Sequence, residues 1–67
     1  VIYHDAVNGK EVIAKLKAHG WSVARTHGSH HILTKDDKAV PVPVHGSRDL
    51  GIGLLAAIQR QTGVKLK

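Results

Sequence analysis

The chain has 67 residues, of which 10 are Lys or Arg, 5 are Asp or Glu and 6 are His, giving a formal charge of +5 and a sequence pI near 10.0. It contains no cysteine and no apolar run long enough to span a bilayer, which excludes disulfide-stapled scaffolds, thiolate zinc sites and a membrane anchor, and makes the cytoplasm the expected location. A chain of this length folds as one domain that buries only about 60% of its unfolded surface, and its positive charge favours nucleic acid or an acidic protein as partner.

Residues 1–7, Val-Ile-Tyr-His-Asp-Ala-Val, precede the first helix signal and are expected to be an N-terminal extension or expression remnant without a functional role. Residues 8–67 then make up the single domain. Asn8 is a good N-cap residue, and Glu11 three positions later completes the capping-box spacing. The helix predicted from there runs to about His19 and stops at Gly20, with Val12, Ile13 and Leu16 as its apolar stripe and Ala14 and Ala18 as small neighbours. Lys10, Lys15 and Lys17 fall outside the stripe, where they serve equally well as a solvated face or as phosphate contacts.

From Trp21 the period changes to two, with Trp21, Val23 and Arg25 on one face and Ser22, Ala24 and Thr26 on the other. Trp21, the only tryptophan, reads as core packing beside the Gly20 stop rather than as a platform for a base. Gly28-Ser29 is a turn, His30 to Thr34 or Lys35 is a second strand, and Lys35-Asp36-Asp37-Lys38 is a polar turn. A third strand is predicted over 39–45. The N–H groups of residues i and i+2 point to the same side of a strand, so Pro41 and Pro43 silence one and the same edge. This strand therefore belongs on the outside of a meander, with the second strand in the middle.

His45-Gly46-Ser47-Arg48-Asp49 forms a further turn into a helix that starts at Gly51 or Ile52 and ends at Thr62, before Gly63. Leu50, Leu54, Leu55 and Ile58 give its predicted buried stripe, and the tail Val64-Lys65-Leu66-Lys67 is expected to be basic and loosely held.

The stretch Arg25-Thr26-His27-Gly28-Ser29-His30-His31 concentrates the chemistry. Imidazole, with a reference pKa of ~6.5, is the side chain suited to exchanging a proton near neutrality. His30 opens the central strand beside a turn held by paired backbone, so it is a positioned group. Strand parity puts His30, Ile32 and Thr34 on one face and His31, Leu33 and Lys35 on the other; two neighbouring histidines cannot serve one phosphate from a regular strand. By spacing alone, the simpler reading of His30 is a surface histidine on a turn.

The order helix, three strands, helix predicts an α+β fold in which two helices pack on one face of a three-stranded antiparallel meander, resembling the double-stranded-RNA-binding-domain fold. Lys10-Glu11-Val12-Ile13, His19-Gly20-Trp21, Gly28-Ser29-His30-His31, Val42-Pro43-Val44-His45 and Asp49-Leu50 with Gly53 occur in an order that resembles the HicA toxins, the small mRNA interferases of bacterial type II toxin–antitoxin pairs. The resemblance covers residues 8–63. It implies that His30 is the catalytic residue for cutting RNA, which arrests translation, and that a HicB-type antitoxin binds the toxin and covers His30. Arg25, Gly28, Ser29, His31, His45, Arg48 and Lys10 are the candidate RNA contacts, with catalysis carried to His30 alone. The departures from the family pattern are the seven leading residues, Pro41, and Gly51 where a lysine is usual.

The chemistry is workable without a cofactor. RNA carries its own nucleophile in the 2′-OH, so a metal-independent nuclease needs in-line positioning, a proton acceptor, a donor for the leaving 5′-oxygen, and cations on the phosphate. His30 can be base or acid, and Arg25 or Arg48 can stabilise charge; the second proton role is open to His27, His31, His45 or water. The products expected are a 2′,3′-cyclic phosphate and a 5′-hydroxyl. A zinc site would need His27, His30 and His31 with Asp36 or Asp37, which lie at the far end of the strand. The alternative outside enzymology is a non-catalytic RNA-binding module, recognisable by salt-dependent binding of single-stranded RNA without cleavage.

Overall fold

A computed structural model describes residues 7–46 and 48–66. The elements are α1 (Gly9–Ala18), β1 (Ser22–His27), β2 (His30–Lys35), β3 (Lys38–Pro43) and α2 (Ile52–Thr62), the predicted α-β-β-β-α order. The expectations for residues 1–6, Ser47 and Lys67 lie outside the described residues.

Helix α1 begins with a complete capping box. The Glu11 N–H donates to Asn8 Oδ1 at 2.9 Å and the Asn8 N–H to Glu11 Oε1 at 3.4 Å, which satisfies backbone donors that no helical turn can reach. At its other end Gly20 adopts φ +94° and the Trp21 N–H returns to the Leu16 carbonyl at 3.0 Å, turning the chain into β1. Trp21 is buried just before the strand, as core packing requires. Val12 and Leu16 are buried and Ile13 partly so, while Ala14 and Ala18 are exposed, which makes the apolar stripe narrower than the sequence pattern.

Gly9, at the first helical position, is buried because α1 starts directly against the end of β3. A Cβ there would fall on the Pro43 carbonyl oxygen and stand 2.8 Å from Val44 Cγ2. Helix propensity alone favours Ala over Gly by about 1 kcal/mol, but displacing packed backbone costs roughly 1–3 kcal/mol. Gly9→Ala is therefore expected to lower the urea midpoint. A raised midpoint would show that this approach has room to spare.

The sheet order is β1-β2-β3, antiparallel throughout, with β2 central. Both hairpins have two-residue loops. Gly28 has φ +60° at the first loop position, the glycine position of a type II′ turn, and Asp36 occupies the corresponding place in the second loop with φ 56°, which Asp tolerates better than most residues. Strand β3 pairs in register as far as His30 with Pro43 and ends there, two residues short of the predicted His45. The Val44 N–H still donates to the Ser29 carbonyl at 2.7 Å, so the even-numbered residues of this segment bond inward and Pro41 and Pro43 fall on the outer edge.

The pairing of β1 with β2 corrects the predicted face assignment. Val23 is opposite Leu33, but Arg25 is opposite Ile32, leaving Ala24 as the extra residue of a β-bulge. The bulge shifts parity by one. Val23 and Thr26 now share the face of His31 and Leu33, whereas Arg25 and His27 share the face of His30 and Ile32.

One core holds the fold together. Leu33, Val40 and Val42 from one sheet face pack with Val12 and Leu16 of α1 and Leu55 and Ile58 of α2, so both helices cover the same face and the other is left open. Leu54, expected in the α2 stripe, is instead 39% exposed: the buried residues of the helix are Leu55 and Ile58, and Leu54 lies at the edge of their stripe, about 100° around the axis from Leu55. The tail is also corrected. Val64 and Leu66 are buried, the Leu66 N–H donates to Gln59 Oε1 at 2.7 Å, and Lys15 Nζ donates to the Leu66 carbonyl at 3.1 Å. At the N-terminal side Val7 is buried, and its carbonyl accepts the Leu50 N–H at 2.8 Å. No helix among the described residues is long and apolar enough to cross a membrane.

Candidate functional site

The open face of the sheet gathers three of the residues from the central stretch. His30 is exposed at the first position of β2, held between His27 on β1 and Pro43 on β3. Directly opposed residues of an antiparallel pair have Cβ atoms roughly 5 Å apart, so the His27 and His30 side chains stand side by side. Arg25 is the diagonal neighbour of His30, at a separation of roughly 7–8 Å that a guanidinium on its long stem easily spans. This grouping depends on Ala24: in a regular strand Arg25 would share the face of Val23, under the helices.

His31 occupies the opposite face. It is paired with Thr26 and Val42, half-buried, and its Nδ1 is buried with no hydrogen-bond partner among the described residues. The ring belongs to the packed side and does not join His30 on the open one. Gly28 forms the exposed tip of the hairpin, where a Cβ would meet nothing within 4 Å; the glycine is needed for its backbone angle rather than for space. Ser29 is half-buried and its carbonyl is already engaged by Val44.

The remaining candidates reach the same end of the molecule through backbone links. Val44 is bonded to Ser29, so the turn that follows, in which the Arg48 N–H donates to the His45 carbonyl at 3.0 Å, emerges beside the hairpin tip. His45 and Arg48 are exposed. The contact of Gly9 with Pro43 and Val44 brings the exposed Lys10 to this end as well. Asn8 and Asp49 form an isolated antiparallel bridge that fixes the two segments together. Two other lysines are engaged in carbonyl bonds at the opposite end: Lys15 with Leu66, and Lys35 with His19 at 2.8 Å. That resolves Lys15 as a structural group.

The zinc arrangement weighed from sequence does not assemble. His30 and His31 project from opposite faces, Asp36 and Asp37 lie at the other end of β2, and among the described residues no three His, Asp or Glu side chains come together. Nor does a cavity enclose His30 among the described residues. What the site offers is a shallow face with paired imidazoles and a nearby guanidinium, open to a polymer laid across it. His27 is the residue that sequence reasoning left unassigned; its signal was the two-residue loop, which makes positions 27 and 30 a cross-strand pair.

Comparison with known proteins bears on the family of the chain. The family model described as the HicA toxin of bacterial toxin–antitoxin systems matches residues 9–64. A protein named "Probable mRNA interferase HicA" from Pseudomonas fluorescens (strain Pf0-1) is 36% identical over 50 residues, spanning 75% of this chain and 83% of that protein. No solved structure gives a significant match.

Proposed function

The chain belongs to the HicA toxin family, and on that premise we propose that it is the toxin of a toxin–antitoxin pair and cleaves mRNA as an endoribonuclease, with His30 exchanging the proton in a metal-independent reaction. The observation that carries the role of His30 is its place: an exposed imidazole on the stiff central strand, with Arg25 turned onto the same face by the bulge. The unit responsible is the single domain, which takes Val7 into its core, acting in the cytoplasm where mRNA is found.

Phosphoryl transfer to the 2′-oxygen builds negative charge on the nonbridging oxygens. Arg25 is the group on the open face to receive it, and Lys10, His45 and Arg48 line the approach from the neighbouring turns. Gly28 and Ser29 contribute by shaping the hairpin tip, whereas His31 supports the strand from the packed side. Arg25→Gln is expected to reduce cleavage on the order of 10²-fold and to make binding less salt-dependent, with Arg25→Lys retaining part of the rate. Unchanged rate and salt slope in Arg25→Gln would remove it from the phosphate site.

A HicB-type antitoxin would inhibit by covering this same face, its acidic groups meeting the basic end of the molecule. Binding only the folded toxin, it would stabilise the small domain as well as silence it. The test of the nuclease reading is incubation with single-stranded RNA in the presence of EDTA, beside His30→Ala. Cleavage by the parent and none by a folded variant supports it; salt-dependent binding by both with no cleavage makes the protein a non-catalytic RNA binder.

A further inference from the structure

We infer that His27 is the second proton-transfer group of the reaction, paired with His30 across the β1–β2 hairpin so that one imidazole takes the proton of the 2′-hydroxyl while the other supplies a proton to the leaving 5′-oxygen. This rests on the assignment of His30 as the first. In-line displacement puts the attacking and leaving oxygens on opposite sides of phosphorus, so a single side chain cannot attend both at once. Two imidazoles on adjacent strands, opposed across the closing pair of a two-residue hairpin, can flank a phosphate between them.

The other candidates for the role are less well placed. His31 is on the helix-covered face with Nδ1 buried. His45 lies beyond Pro43, the last residue paired with β2, in a turn rather than on the ladder. On the open face the ladder neighbours of the two imidazoles are Arg25 from β1, Ile32 from β2, and Pro43 and Pro41 from β3, so Arg25 is their one charged neighbour there among the described residues.

The step balances without a co-reactant. The 2′-oxygen forms a bond to phosphorus as its proton passes to one neutral imidazole; the bond from phosphorus to the 5′-oxygen breaks as the other, protonated imidazole gives up its proton. The products are the 2′,3′-cyclic phosphate and the 5′-hydroxyl, and exchange with water restores both rings.

The test uses the full chain and its His27→Ala, His30→Ala and His45→Ala variants, each with folding verified by circular dichroism. They are assayed on an ordinary oligoribonucleotide and on one whose leaving 5′-oxygen is replaced by sulfur, which departs without a proton. His27→Ala is expected to lose roughly 10²- to 10⁴-fold on the ordinary substrate and one limb of the pH–rate profile. The sulfur substrate should restore most of the rate to whichever of His27→Ala and His30→Ala lacks the acid. His27→Gln should behave as His27→Ala. Cleavage by His27→Ala within about threefold of the parent, an intact two-limbed profile, rescue of neither variant, or loss of a limb in His45→Ala instead would each overturn the pairing. If His30→Ala cuts the ordinary RNA like the parent, the assignment of His30 itself fails, an outcome distinct from failure of His27 alone.

Discussion

His30→Ala is expected to lower the rate of RNA cleavage by roughly 10²- to 10⁴-fold while leaving the fold and most of the RNA affinity in place. The magnitude is that of removing one positioned proton-transfer group. The preserved fold follows from the position of His30, which is exposed on the open face, away from the core. The preserved affinity is expected because the basic side chains proposed to meet the phosphates, Arg25, Arg48 and Lys10, are exposed groups separate from the imidazole. The informative measurement is therefore paired. Single-turnover cleavage with EDTA reports the chemical step, and titration of the same RNA over a range of salt reports the electrostatic one. A variant that binds with the parent's salt slope and cuts at the parent's rate would exclude His30 from the chemistry.

The second large effect concerns stability. Leu66→Ala is expected to cost about 2–5 kcal/mol, the range for truncating a buried leucine. For a chain of 67 residues, a net stability of roughly 0.05–0.15 kcal/mol per residue amounts to about 3–10 kcal/mol, so this one change takes a large share of it. Leu66 is fully buried, and the backbone around it is tied to both helices, to Gln59 of α2 and to Lys15 of α1. The adjacent Lys65 is exposed, and its substitution by Ala should shift stability by no more than about 0.5 kcal/mol in either direction. Urea denaturation of the two variants separates the docked tail from a loose one. Equal midpoints for both would mean that the tail contributes no packing.

The contrast between these two sites shows where sequence reasoning reaches and where it stops. The position of His30 at the head of the central strand is legible because everything that places it is local. Gly28-Ser29 sets a two-residue turn, apolar residues alternate after it, and prolines two apart keep the third strand on the outside. The same holds for the capping box of Asn8 and Glu11 and for Gly20 and Gly63 at the helix ends, each governed by hydrogen bonds or backbone angles within a few residues. The tail, buried at Val64 and Leu66 rather than loose, is the complementary case. Val64-Lys65-Leu66-Lys67 alternates in too short a run to declare a buried face, and the core it joins includes α1, whose Lys15 bonds to Leu66 from far back in the chain.

Arg25 shows the same division within the site itself. Composition and motif identify it as a basic residue one strand from His30, and simple alternation then assigns it to the face of Val23. Nothing in Ser22-Val23-Ala24-Arg25 announces a bulge, because a bulge exists only relative to the strand opposite. The extra residue at Ala24 lets Val23 and Thr26 take the helix-covered face while Arg25 and His27 take the open one. The amino-acid order thus specified the elements, their caps, the central place of β2 and the position of His30 at its start, since each depends on short-range backbone geometry. Which side chains stand together on the open face, and that the last residues belong to the core, followed from register and packing between distant segments, which the linear pattern does not encode.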